Sequence, residues 1–393
     1  MNAERGQARL KVLSFSICYP APAAPVRGVF VYERLRALAR LAQVEVVNPQ
    51  PVFPLYRGPT GPAGAETDPA GLTIHRPRCF YLPGVLKRAD AWFYYRGLSG
   101  WLARRLEQGP RPDVLDAHFV WPDGVAVSYL ARRFGLAYTI TLRGAINSRW
   151  QTPCFRGRIA DALQRAAAVI SVNKPMAEIA ERLGVPRARI FVIPNGVDAG
   201  FFTTVDRRDA RRRLGLPEAG PLIVSVASLE PAKGHEEMVR ALARLPERVR
   251  LVIIGVDVPG GYRRRLVELI EQLGLSGRVS VLPAQPRDGI ALYLNAADVT
   301  ALASHSEGCP NVVIEALACG TPVVATAVGA VPELVRPGET GLIVPPKDPD
   351  ALAAALADAL HRDWSRPQIR ASVADRSWAR VAEEVLAVFK KIL

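Results

Sequence analysis

Glu307 and Glu315 lie in the run SEGCPNVVIEALACGTPVVAT at 306–326 and are separated by seven residues. Pro310 just inside a helix start and Gly320 beyond its end bracket a short helix between them. That spacing places Glu307 in the loop before the helix and Glu315 on it. The backbone N–H groups of Gly308, Cys309 and Asn311 then fall among the orphan donors of the helix N-terminus, suited to an anion or to sugar hydroxyls. A carboxylate on the helix can accept two hydrogen bonds from a vicinal diol such as a ribose. A bare pair at this spacing is more often two ordinary helix glutamates, so the surrounding residues carry the argument.

A second candidate is Lys233, in ASLEPAKGHEEMVRAL at 227–242. A strand ends there and a helix opens, with the lysine in the loop at the helix N-terminus. A cation beside helix N–H donors suits a diphosphate leaving group. In the N-terminal half, Gly28 precedes a helix beginning near Val29, where a residue without Cβ lets the backbone approach a ligand. His118 ends the strand in DAHF (116–119), and Arg143 ends the next one in TLRGAIN (141–147). Strand ends are where α/β proteins form ligand sites. His75, His235 and His361 stand apart, and neither a metal cluster nor the D-x-D carboxylate pair of a metal-dependent transferase is read in the chain, so no divalent ion is expected.

These residues need sheets to position them. β-rich runs at 11–17, 44–48, 71–76, 113–119, 137–142, 167–172 and 190–193 alternate with helical stretches such as 31–42. The pattern restarts after residue 200, with runs at 221–227, 249–255, 278–283, 298–303, 321–326 and 341–345 and helices at 236–245, 263–274 and 350–362. Regular alternation predicts an α/β chain of two doubly wound, Rossmann-like domains with ligands at the carboxyl ends of their strands. The break falls after IPNGVDAGFF (193–202), where Asn195-Gly196 signals a turn, and a charged stretch without strand alternation runs on to 220. SWARVAEEVLAVFKKIL (377–393) reads as a final amphipathic helix.

At 393 residues, 49% hydrophobic and 22% charged, the chain is globular rather than disordered. No apolar run approaches the roughly 18–20 residues that cross a bilayer, and the N-terminus reads as a first strand, not a signal peptide. Five cysteines (Cys18, Cys79, Cys154, Cys309, Cys319) show no C-x-x-C pairing and read as small buried hydrophobes in a reducing compartment, so a cytoplasmic location is expected. The net charge is +14, and only seven of the 51 basic residues are lysine. Arginine-rich usage fits genome composition, and it also fits an anionic partner. Segment 81–109 interleaves Trp92, Phe93, Tyr94, Tyr95 and Trp101 with Lys87, Arg88, Arg96, Arg104 and Arg105. That mixture suits an anionic membrane surface; the competing reading is a helix with a packed aromatic face. No nucleic-acid-binding signature appears, so no nucleic acid is expected as a partner. No G-x-G-x-x-G follows the first strand, which disfavours a dehydrogenase.

As a set, SEGCPNVVIEALACGTPVVATAVGAVPELV, IPNGVD (193–198), PAKGH (231–235) and DAHF resemble the retaining glycosyltransferases of family 4, the group 1 transferases with the GT-B fold. The resemblance covers nearly the full chain. It implies two Rossmann-like domains with an interdomain cleft: 1–197 for the acceptor, with helix 377–393 packing back on it, and 198–376 for the nucleotide sugar. It implies transfer of a hexose from a nucleotide diphosphate sugar to an acceptor hydroxyl, with no metal or cofactor. The departing diphosphate would take the acceptor proton on the same face, leaving the protein to position and stabilise charge. Glu315 is similar to the glutamate that holds the ribose, and Glu307 to the one facing the donor sugar. His118 matches the second histidine of an H-x-H pattern, a donor-sugar contact; the first position is Asp116 here. Three further positions depart from the pattern. Ser228 stands where the family often has arginine, Arg27-Gly28 where two glycines are common, and Arg143 where many relatives have histidine. Arg143 is therefore the candidate for the missing cation. The expected acceptor, read from the net charge of +14, the lack of a signal or spanning run and segment 81–109, is a lipid-linked saccharide or an oligosaccharide in surface polysaccharide or glycolipid synthesis, reached peripherally at the inner face of the membrane. One rival is a sugar-nucleotide 2-epimerase of the same fold. Another is a non-enzymatic basic module binding membrane or nucleic acid, which would leave Glu307, Glu315 and Lys233 unexplained.

Overall fold

The computed structural model describes residues 9–22, 24–52, 64–80, 87–144 and 146–393. The chain divides into two compact units. One runs to Asn195 and takes back Trp378–Leu393; the other is Gly196–Ser377. Among the described residues, the first unit holds β1 (Lys11–Phe15), β2 (Gln43–Val47), β3 (Gln50–Val52), β4 (Gly64–Thr67), β5 (Thr73–Arg76), β6 (Arg78–Phe80), β7 (Val114–His118), β8 (Ala137–Leu142), β9 (Ala168–Ser171) and β10 (Ile190–Val192). The second holds β11 (Leu222–Val226), β12 (Arg250–Gly255), β13 (Val279–Pro283), β14 (Val299–Leu302), β15 (Val323–Thr326) and β16 (Gly341–Val344).

The first unit's main sheet has the order β10-β9-β8-β7-β1-β2-β5-β4, parallel except for β4 against β5. The second sheet has the order β13-β12-β11-β14-β15-β16 and is parallel throughout. Strands such as β7, β9, β14 and β15 are buried along their whole length, as sheets covered by helices on both faces require. Both units are Rossmann-like, as the β-α alternation predicts. In each sheet the chain winds outward on one side of its first strand and then returns on the other. The strand order therefore reverses between β1 and β7, and again between β11 and β14. Open parallel sheets bind ligands at such reversals, beyond the carboxyl ends of the strands.

Helix Trp378–Ile392 buries Trp378, Val381, Val385, Val388 and Phe389 in one core with Val31, Leu35 and Leu38 of helix Val29–Leu38. Full burial of each large side chain contributes about 1.5–3 kcal/mol, enough to return the chain's end to the first unit. The charged stretch before residue 220 is not a linker. It forms helix Arg207–Arg213, and Arg211 turns inward, 3% exposed. Its guanidinium donates to the carbonyls of Ala296, Glu218 and Gly220 and pairs with Asp298 at 2.7 Å. Five forked donors can be satisfied inside the fold, so an arginine-rich run can face inward. No helix among the described residues is long and apolar enough to cross a membrane.

Candidate active site

The second unit builds its site on loops after β11 and β14. Helix Asn311–Ala318 starts behind Pro310, its N-cap, and is followed by Gly320 at φ +74°. Glu307 lies in the loop before it and Glu315 on it, half-buried. After β11, residues Pro231–Lys233 form a single helical turn, and helix His235–Leu242 follows Gly234. The two loops meet: Lys233 Nζ donates to Glu307 Oε1 at 2.7 Å. Ser304 Oγ donates to the same oxygen at 2.7 Å. The side chains are 20% and 12% exposed, so the pair is partly shielded but reachable. The His305 N–H donates to Ala232 O at 2.8 Å, and the His305 ring bonds Glu237 at 2.8 Å, tying the loops together twice more.

Behind Glu307 the loop rests on Gly329. A Cβ there would lie 2.5 and 2.6 Å from the carbonyl oxygens of Gly308 and Glu307, and its φ of +56° disfavours a side chain. The Ala330 N–H donates to Gly308 O at 2.8 Å. Ser228 hydroxyl donates to Glu230 at 2.6 Å, so the position where an arginine is common holds a small, internally bonded side chain. Ser304, His305 and Gly329 escaped the sequence reading. Gly329 lies inside the quoted run, but a lone glycine carries no signal until its partner backbone is known.

The first unit's candidates form a separate cluster after β1, β7 and β8. Gly28 has φ +71°, and a Cβ on it would collide with the Cys18 carbonyl. Glycine is thus required here by the close approach of the chain's own backbone. His118 is the last residue of β7 and is fully buried. Its Nε2 lies 3.1 Å from Asp116 Oδ2 and 3.1 Å from Ser14 Oγ, and its Nδ1 lies 3.4 Å from Arg143 Nη2. Both ring nitrogens are engaged inside the protein. Arg143 follows β8, stacks 4.7 Å from the Phe30 ring centroid and donates to Asn195 Oδ1 at 3.1 Å. It is 4% exposed. Burial would raise the Asp116 carboxyl, but the Arg34 charge and the His118 bond hold it well below the usual carboxylate range. Burial pushes the His118 imidazole down to about 4.

Among the described residues, no group of three or more His, Cys, Asp or Glu could hold a metal ion. One D-x-D triplet, Asp348-Pro349-Asp350, was not recognised in the sequence. Asp348 Oδ1 accepts from the N–H groups of Asp350 (3.1 Å) and Ala351 (2.9 Å), capping helix Pro349–His361. Asp350 pairs with Arg244 at 2.6 Å. The triplet is a helix start.

Segment 81–109 is described from Lys87 onward; 81–86 lie outside the described residues. Helix Asp90–Gln108 buries Tyr94, Leu98 and Leu102, and Trp92 is 51% exposed. Arg105 pairs with Glu45, and Lys87 lies 3.6 Å from Asp90. These two cations serve the fold. Arg88, Trp92, Arg96, Gly100, Arg104 and Gln108 remain as an exposed stripe at a spacing of four, with Arg96 stacked on Trp92.

The family described as glycosyl transferases group 1 matches residues 206–375, and glycosyltransferase family 4 matches residues 28–201. A D-inositol 3-phosphate glycosyltransferase of Xylanimonas cellulosilytica is 33% identical, covering 92% of this chain and 90% of the relative. One of the same description from Mycobacterium leprae is 33% identical over 81% of this chain and 72% of the relative. Sucrose-phosphate synthase from Thermosynechococcus elongatus superposes with a TM-score of 0.80 at 25% identity, covering 98% of this chain and 99% of that one. Anabaena HepE in complex with UDP-glucose superposes at 0.71 and 20% identity, with 98% of each chain covered, and shares the fold. Two doubly wound units and matches spanning nearly the whole length make this chain a member of the group 1, family 4 glycosyltransferases, with the GT-B fold.

Proposed function

We propose that the chain moves a hexose from a nucleotide diphosphate sugar to an acceptor hydroxyl, with retention at the anomeric carbon and without a metal. The observation that carries this reading is the Lys233–Glu307 pair at the strand-order reversal of the second sheet. An ammonium has three N–H donors. One is spent on Glu307, which fixes the group, and the others can meet a diphosphate whose charge grows as the glycosidic bond breaks. The second Glu307 oxygen suits a sugar hydroxyl, and Glu315 suits the ribose diol. The test is a thermal-shift screen of UDP, GDP and ADP sugars, followed by product analysis. Stabilisation by one sugar nucleotide and glycoside formed with an added acceptor support the reading. Release of an epimerised sugar without acceptor would replace transfer by epimerisation.

For the acceptor, the exposed stripe on helix Asp90–Gln108 favours a lipid-linked saccharide at an anionic membrane surface, reached peripherally from the cytoplasm. Each well-placed cation contributes about 1 kcal/mol of attraction there. Replacing Arg88, Arg96 and Arg104 with Gln should abolish salt-sensitive co-sedimentation with anionic vesicles. No preference for anionic over neutral vesicles at low salt would sink the membrane reading. A soluble polyol phosphate is the second reading, favoured by the description of the curated relatives. Transfer to D-inositol 3-phosphate in the absence of any lipid would establish it.

A further inference from the structure

Under the carboxyl ends of β7 and β8 lies a row of buried polar groups that the transfer chemistry leaves unused. Register explains it. Asp116 and His118 are two apart on β7 and so share a face. Asp116 pairs with Ser14 of β1 and Thr139 of β8, and His118 with Thr141. All five side chains are fully buried. Helix Val29–Leu38 covers them with Arg34, itself 3% exposed, which donates to Thr141 Oγ1 at 2.8 Å and pairs with Asp116 Oδ2 at 3.5 Å. Thr139 Oγ1 donates to Asp116 Oδ1 at 3.0 Å. Removing charges from water costs several kcal/mol each unless partners restore the loss, so an ionic row this deep needs a reason.

We propose that Asp116 and His118 are positioning residues for Arg143: Asp116 sets the His118 tautomer, and His118 Nδ1 aims the guanidinium. Arginine only donates, so the nitrogen facing it must accept. On the other side Nε2 faces Ser14 Oγ and Asp116 Oδ2; an ionised carboxylate only accepts, and Ser14 donates to it at 3.3 Å and so accepts from the ring, which puts the proton on Nε2. Both neighbours select the same neutral tautomer, protonated at Nε2. A proton on Nδ1 would point at the Arg143 N–H groups and drive the two apart. Phe30 beneath the guanidinium and Asn195 at its other edge complete the setting. Arg143 is thereby a planar, oriented cation at the first unit's strand-order reversal, suited to an anionic group of a substrate. Only this last consequence rests on the transferase reading.

The experiment uses the full chain labelled with ¹⁵N-histidine, with His118 assigned by its loss in His118→Gln. The ring shifts should report the Nε2–H neutral form from pH 6 to 8. An Nδ1–H tautomer or an imidazolium in that range would overturn the proposal. If His118→Gln fails to fold, single substitutions of the other four histidines assign His118 by elimination, and the wild-type spectrum still decides this point. Asp116→Asn offers an amide that can donate to Nε2, so the tautomer preference should weaken to what Arg143 and Ser14 still impose. Sugar-transfer kcat should fall roughly 10–100-fold, the scale on which partners that orient a working group act. Arg143→Lys should lose a similar factor. The double variant should lose little more than either single, because both break one arrangement. Full additivity of the two losses would overturn the coupling. The expected tautomer in a protein that transfers no sugar would instead count against the transferase reading alone.

Discussion

Replacing Lys233 with Ala removes the cation that pairs with Glu307 at 2.7 Å. In the ligand-free protein the cost is modest. The partners are 20% and 12% exposed, and Glu307 keeps its bond from Ser304, so stability should fall by about 1–3 kcal/mol. The transition state is different. A unit charge about 4 Å from a developing negative charge contributes about 4 kcal/mol at an effective dielectric constant near 20. Loss of one such fixed donor costs about 10²–10³ in kcat, or roughly 2.7–4 kcal/mol. The loss should concentrate in kcat, because charge on the diphosphate increases during bond breaking. The assay is steady-state nucleotide release at saturating acceptor, with donor varied, alongside a melting curve. Lys233→Arg, which keeps the charge with another geometry, should recover part of the rate. A kcat within a few-fold of wild type, with only KM raised, would make Lys233 a ground-state contact and refute the reasoning.

Glu315→Ala should weaken nucleotide-sugar binding by about 1.5–3 kcal/mol, the value of a charge-assisted acceptor to a diol; calorimetric titration of the folded variant checks it, and unchanged affinity removes Glu315 from the site. Turnover should persist in excess EDTA, and activity lost to chelator and restored by Mg²⁺ or Mn²⁺ would contradict a site run by Lys233. Acid stability should depend on Glu45. Burial raises its carboxyl, but hydrogen bonds from His75 and Arg105 outweigh that and bring it down to about 2. A depressed carboxylate stabilises the fold above its unfolded value near 4.3, and that contribution is lost as pH falls from about 4.3 toward 2. Glu45→Gln should therefore lower the melting temperature at neutral pH and flatten its acid dependence, and an unaltered acid limb would show that the pair contributes nothing.

The sheets were legible because their strands are runs of β-branched residues separated by helices. Each β-rich run read from the sequence forms a strand, most of them trimmed at the ends, with β8 keeping its bounds and β2 shifted one residue toward the N-terminus. The misses are β3, β4 and β6. β3 and β6 are three residues each and exist only by pairing with one another across the chain, and three residues carry no periodicity. β4 is an edge strand of Gly, Ala, Glu and Thr, a composition that turns share. Glu307 and Lys233 were legible as residue types at helix starts. Their contact was not, because it spans 74 positions and exists only because β11 and β14 are neighbours. The inward turn of Arg211 in the run at 207–213 was not legible, because charge alone does not say which way a long side chain turns.

Two departures in the first unit answer each other physically. A histidine at 143 beside another at 116 would place no obligatory charge beneath the sheet. An arginine at 143 adds a second permanent cation to the surroundings of His118, which Arg34 already influences, and buried guanidiniums without a counter-charge would remain undersolvated. Asp116 supplies that counter-charge to Arg34 directly, at 3.5 Å, and to Arg143 through the His118 ring, at 3.1 and then 3.4 Å. Histidine suits the middle because it can donate at one nitrogen and accept at the other, bridging an anion to a cation without a charge of its own. Replacing His118 with leucine would leave Asp116 and Arg143 in place with nothing to join them. The carboxylate would keep Arg34, Thr139 and Ser14, and Arg143 would lose the acceptor that relays the carboxylate's charge to it. In this chain Asp116, His118 and Arg143 are therefore one electrostatic unit, and a substitution at any of the three is a substitution in all of them.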